Sequence, residues 1–204
     1  MTEKSILFVG NSYTYYNNMP EELFSSLAKE AGLSLSVSTA VKGGARLRQY
    51  ADPNTEHSRI LQEAIAGKQF DLVILQEQSH TPVSDEATFL QGIAAVKEIL
   101  KNKTDRFFLY ATWGRKEGSD WLTNNNMTSQ EMTQCLAQAY DRAGERFDMP
   151  VIHVGKKFAE YRSTYPDAEL YDPDLSHPSV LGSQLAAETI WSAVKDFLCD
   201  TDMH

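Results

Sequence analysis

The chain has 204 residues, 42% of them hydrophobic, and 28 acidic against 19 basic side chains, a formal net charge of -9. One domain spanning residues 1–204 can bury a sizeable core at that length. The acidity excludes a phosphate-backbone partner, since the basic runs Lys101-Asn102-Lys103 and Lys156-Lys157 are too short to form a patch.

Cys135 and Cys199 lie far apart in segments of helical pattern, without metal-ligand spacing or a disulfide framework. The chain enters its first apolar run directly after Met1-Thr2-Glu3-Lys4, and no stretch is long enough to span a bilayer. As it stands it reads as a cytoplasmic protein without a membrane partner. A signal peptide removed beforehand would make it secreted or periplasmic instead.

Apolar runs and helical patterns alternate along the chain. Ser5–Val9 predicts a first strand, with Gly10-Asn11-Ser12 at its exit. Pro20 followed by Glu21-Glu22 opens a helix, with Leu23, Phe24, Leu27 and Ala31 at helical spacing and Gly32 as its stop. Ser34–Ala40 predicts a second strand and Thr55–Ala66 a second helix. Asp71–Gln76 is the third strand and Ser84–Asn102 the third helix; Arg106–Thr112 is the fourth strand and Ser129–Phe147 the fourth helix. Pro150–Val154 is the fifth strand, residues 157–165 a short helix, and Ser179–Leu198 the last helix. The runs Leu72-Val73-Ile74-Leu75 and Phe107-Phe108-Leu109-Tyr110 are apolar at every position, as strands covered on both faces must be. The pattern predicts an α/β three-layer sandwich around a parallel sheet, with sites gathered at the carboxyl ends of the strands.

Four chemistry-bearing segments fall at that edge. Ser12 follows the first strand. A serine hydroxyl becomes a nucleophile only when a neighbouring base takes its proton and a carboxylate orients the base. Asp174-Leu175-Ser176-His177-Pro178, just before the last helix, supplies both. The remaining histidines are weaker candidates: His57 on a helix face, His80 in a loop, His153 inside a strand, and His204 at the terminus. Gly43-Gly44 follows the second strand, where a backbone N–H can approach closely. Gln76-Glu77-Gln78-Ser79 follows the third, and a side-chain amide is a neutral N–H donor suited to an oxyanion. The polar stretch Gly114–Met127 follows the fourth strand, as either a substrate-covering loop or a plain surface loop.

This constellation resembles the SGNH or GDSL-like hydrolase superfamily, whose landmarks are a Ser, a Gly, an Asn and a His. The motifs run in the expected order from residue 10 to 178. The resemblance implies a flavodoxin-like fold with five parallel strands, and Ser12, Asp174 and His177 as the catalytic triad. It also implies an oxyanion hole from the Ser12 and Gly44 backbone and the Gln78 amide. Gly43 competes with Gly44 for the second place. The third block departs most, since Gln78 stands where the family has Asn, and Gln76 is the competing donor. Asn11 replaces the common Asp beside the nucleophile. Asn11, Gln76 and Trp113 are expected to contact substrate. Thr112-Trp113 and the Gln-rich third block are similar to a subgroup from carbohydrate-degrading gut bacteria, which implies an acylated sugar as substrate.

The implied activity is hydrolysis of a small ester, acetyl above all, through an acyl-serine, with no metal or other cofactor. Longer-chain lysophospholipase or thioesterase activity is the alternative within esterases. A non-catalytic binding module on the same fold and a flavodoxin-like cofactor domain are the alternatives outside them.

Overall fold

A computed structural model describes residues 3–199. Five strands form one sheet in the order β2-β1-β3-β4-β5, every neighbouring pair parallel. They are β1 (Lys4–Gly10), β2 (Leu35–Val41), β3 (Leu72–Leu75), β4 (Phe107–Ala111) and β5 (Val151–His153). Each predicted strand is present, with its ends moved by one residue. Ten α-helices accompany them among the described residues: α1 (Ser12–Tyr15), α2 (Ser25–Glu30), α3 (Leu47–Tyr50), α4 (Glu56–Ile65), α5 (Thr81–Ser84), α6 (Glu86–Leu100), α7 (Asp120–Asn124), α8 (Ser129–Phe147), α9 (Val154–Thr164) and α10 (Val180–Cys199).

Alternation along the strands splits the core in two. Leu7, Val9, Val73, Leu75 and Leu109 face α4, α6 and α8, packing on Leu61, Phe89, Ile93, Val96 and Tyr140. Ile6, Phe8, Ile74, Phe108 and Tyr110 face the other way, onto Phe158 of α9 and Ala187, Ile190 and Val194 of α10. β1, β3 and β4 are therefore covered on both faces, the reason their sequences are apolar at nearly every position.

The helix predicted to open at Pro20 has a more complex entry. Asn17 and Asn18 take left-handed backbone angles (φ 54° and 52°). A wide turn over Met19–Phe24 then leads into α2. Four short helices, α1, α3, α5 and α7, have no counterpart in the predicted pattern. Each is four or five residues long, too short to show a 3.6-residue period. Three of them, α1, α3 and α5, lie in loops after β1, β2 and β3, the loops that build the site.

Cys135 is partly buried and Cys199 exposed, both as free thiols. No described helix is long and apolar enough to cross a membrane.

Candidate active site

The turn after β1 is built on close backbone approach. A Cβ at Gly10 would lie 2.5 Å from Thr14 Oγ1 and 2.7 Å from Gln76 Oε1, so only glycine fits. Asn11 caps α1: its Oδ1 accepts from the Tyr13 N–H (3.1 Å), while its Nδ2 donates to the Ala45 carbonyl (3.0 Å). Ser12 is thus the first residue of a helix, with its hydroxyl turned to a cavity of about 150 Å³. Gln76, leaving β3, locks this turn by accepting from the Asn11 N–H (3.0 Å) and the Thr14 hydroxyl (2.9 Å).

His177 and Asp174 reach Ser12 from the loop before α10. An antiparallel bridge between Tyr171 and Pro178 closes that loop, helped by the Asp172 N–H on the His177 carbonyl (2.9 Å). Inside it Leu175 adopts a left-handed φ of 62°, a conformation costing a branched side chain about 1 kcal/mol or more. Asp174 compensates by accepting from the backbone N–H groups of Ser176 (3.0 Å) and His177 (2.9 Å) on Oδ1. Its Oδ2 accepts a hydrogen bond from His177 Nδ1–H in a short contact. Burial works against the charged form of Asp174, but these hydrogen bonds from His177 and Ser176 outweigh it and hold the carboxyl below its ordinary value. With Nδ1 carrying the proton, Nε2 is left as an acceptor, 2.8 Å from Ser12 Oγ.

Two aromatic rings frame the imidazole. Tyr16 stacks on His177 with centroids 4.5 Å apart and planes at 14°, and Tyr13 meets it edge-on at 5.7 Å. Sequence reading missed both, because α1 and the turn after it are too short to reveal which way Tyr13 and Tyr16 point.

Gly44 and Gln78 line the same cavity as Ser12; Gly43 does not. Gly44 has a φ of +69°, which turns its backbone and favours glycine. The Gln78 amide is oriented by three donors to its oxygen: the His80 and Thr81 N–H groups (both 3.2 Å) and the Thr81 hydroxyl (2.9 Å). Its nitrogen keeps only a long contact to Ser79 Oγ (3.4 Å) and is available to the cavity.

Between these loops sits Glu77, fully buried. Its carboxyl accepts from the Gln78 N–H (2.6 Å) and the Leu47 N–H (3.2 and 3.3 Å), tying the loop after β3 to the loop after β2. Burial pushes it up to about 8, against the pull of those N–H groups and of Arg46.

Of the three expected substrate contacts, Gln76 and Trp113 lie outside the cavity wall. Gln76 is 1% exposed, with its amide nitrogen in a short contact to the Glu77 carbonyl and its oxygen engaged on Asn11 and Thr14. It lies outside the cavity wall, positions the turn that carries Ser12, and has no amide N–H turned to the cavity. Trp113 is completely buried, stacked between Tyr13 (4.8 Å) and Phe158 (4.1 Å). Its Nε1 donates to the Ser176 carbonyl (3.1 Å), so it supports the His177 loop from beneath. Asn11 does line the cavity, but both ends of its amide are spent on Tyr13 and Ala45. The stretch after β4 also divides: Arg115 lines the cavity, whereas Trp121, Leu122 and Met127 pack with Met132 and Leu136 of α8.

His57 and His153 stand outside the cavity wall, as does His80, which stacks on Trp121. His204 lies outside the described residues. Among the described residues no group of three His, Cys, Asp or Glu side chains could hold a metal ion.

The order of the five strands, with a serine at the first carboxyl end and an Asp-x-x-His loop before the last helix, defines an SGNH-type hydrolase fold. A candidate SGNH hydrolase from Slackia heliotrinireducens is 30% identical, with a TM-score of 0.77 over 94% of this chain and 98% of that one. The chain belongs to the SGNH hydrolases. A DUF4886 family protein from Bacteroides uniformis shares the fold at 14% identity, with a TM-score of 0.81 over 96% of this chain and 84% of its own. An acetyl xylan esterase shares it at 17% identity, with a TM-score of 0.69 over 93% and 99%. No family model matches the sequence, and no curated protein does.

Proposed function

We propose that this protein is a serine esterase that removes a small acyl group, acetyl above all, from a small-molecule ester, with an acylated sugar as the leading candidate. The observation that carries this reading is the unbroken relay Asp174–His177–Ser12, with the Ser12–His177 contact at 2.8 Å, opening on one cavity. Ser12 attacks the ester carbonyl as His177 Nε2 takes its proton, and Asp174 stabilises the imidazolium that forms. The negative charge developing on the carbonyl oxygen meets the Ser12 and Gly44 N–H groups and the Gln78 amide. His177 then protonates the departing alcohol. Water, deprotonated by His177, releases the acid from the acyl-serine.

Cavity size supports the acyl preference. Sites for larger ligands run to about 300–1,000 Å³, and this one has about 150 Å³, a better match to a short acyl group than to a long chain. The fold shared with an acetyl xylan esterase supports the sugar-linked substrate only by likeness. The test is a series of aryl esters from acetate to octanoate, followed by acetylated xylo-oligosaccharides. Acetate should be turned over at least about tenfold faster than octanoate. A reversed order would point to lysophospholipase or thioesterase activity. Failure of a serine-directed phosphonate to label Ser12 would leave a binding module.

The oxyanion assignment has its own test in Gln78→Glu. Glutamate keeps an oxygen for the His80 and Thr81 donors but replaces the N–H donor with negative charge. Turnover of an aryl acetate should fall by at least about 10²-fold, with little change in unfolding midpoint. Unaltered turnover would remove Gln78 from the oxyanion hole.

A further inference from the structure

The cavity wall holds a cation that the relay does not use. Arg115 lies four residues beyond the end of β4, and its backbone is tightly held. A Cβ at Gly114 would come within 2.4 Å of the Ser129 carbonyl, and the Gly114 N–H is bound to Thr133 Oγ1 at 2.9 Å. The Arg115 N–H itself contacts Met132 Sδ at 3.3 Å. The root of the side chain is therefore pinned to α8, and the guanidinium enters the cavity shared with Ser12, Gln78 and His177.

Once there it is poorly satisfied by the protein. Nη2 reaches Ser79 Oγ at 3.4 Å, and the buried Nε has no hydrogen-bond partner. No carboxylate among the described residues lies within ion-pairing distance of it. Arg115 is half-buried; its Nε is withdrawn from water without a partner, in a chain with 28 acidic side chains from which one could have been drawn. A guanidinium presents its donors as a planar fork that matches two carboxylate oxygens.

We propose that Arg115 is a specificity-determining residue that binds a carboxylate on the substrate, so that the ester hydrolysed is an anion such as an acylated sugar acid or hydroxy acid. Hydroxyl pairs of a neutral sugar could accept the same N–H groups but would leave the positive charge uncompensated. The proposal rests on the esterase reading for the word substrate, but the contact it predicts is an equilibrium one and can be measured without turnover.

The experiment uses the Ser12→Ala protein, with and without Arg115→Gln, and calorimetric titration with three probes. Phenyl acetate is neutral, 4-acetoxybenzoate carries its carboxylate on the alcohol side, and monophenyl succinate carries it on the acyl side. At least one charged probe should bind about 10–100-fold more tightly than phenyl acetate. Arg115→Gln should reduce that advantage to near unity, and Arg115→Lys should keep part of it. Which charged probe wins tells which side of the ester faces Arg115. Equal binding of all three probes, or a preference that survives Arg115→Gln, would overturn the proposal. If the anion preference holds while the protein bearing Ser12 hydrolyses none of the probes, the esterase reading fails and the carboxylate site stands.

Discussion

Ser12→Ala is expected to lower turnover of an aryl acetate by roughly 10⁴–10⁶-fold, with the fold unchanged. Ser12 is 8% exposed and its hydroxyl makes one described hydrogen bond, to His177 Nε2. Removing it deletes the nucleophile without opening a void. His177→Ala should cost about as much, and the double variant little more than either single one, because groups that act as one relay are not additive. Asp174→Asn gives a sharper test of the base. Asparagine keeps an oxygen for the Ser176 and His177 N–H groups but withdraws the charge that orients the ring. A loss of about 10⁴-fold is expected there. Ser12→Ala protein retaining activity within tenfold of wild type would end the proposed mechanism.

Glu77 should make the stability of the protein depend on pH in a direction opposite to that of an ordinary ion-paired acid. Burial pushes its carboxyl from 4.5 up to about 8. Between those values the folded chain keeps a proton that the unfolded chain has released. Stability is therefore fully present below 4.5 and declines as pH rises to about 8. At about 1.4 kcal/mol per pH decade, the full interval corresponds to roughly 5 kcal/mol. Glu77→Gln should lack this slope, because an amide of the same shape does not titrate. Urea unfolding of both proteins at pH 5, 7 and 9 isolates the effect, since His57, His80 and His153, each held below the ordinary histidine value chiefly by burial, titrate equally in the two. Wild type should lose a few kcal/mol relative to Glu77→Gln across that range, whereas parallel curves would mean that Glu77 titrates as an exposed carboxylate. The same residue links the Gly44–Leu47 and Gln78 loops, so its removal should also be felt at the proposed oxyanion donors.

Much of the fold was legible because the strands bury both faces. Leu72–Leu75 and Phe107–Ala111 are apolar at each position and bounded by polar turns, a pattern that only covered parallel strands require. The long helices α6, α8 and α10 show their period openly. The three side chains proposed as nucleophile, base and acid could be picked out as candidates too, since the Gly10-Asn11-Ser12 and Asp174–His177 segments each lie at an element boundary where geometry is restricted.

What the sequence by itself determined is the order of layers and the three side chains at one sheet edge: local period and turn chemistry act over a few residues and need no partner. The division of labour around those three was decided only by tertiary structure. Gln76 and Gln78 are the same residue type two positions apart. One is drawn inward to clamp the Asn11 and Thr14 donors, and the other has its oxygen held by the α5 turn and its nitrogen free. Trp113 likewise became a support for the His177 loop because Tyr13 and Phe158 close over both of its faces. Side-chain direction in a loop is set by which distant donors and rings arrive beside it, and those contacts exist only once the sheet has brought its carboxyl ends together.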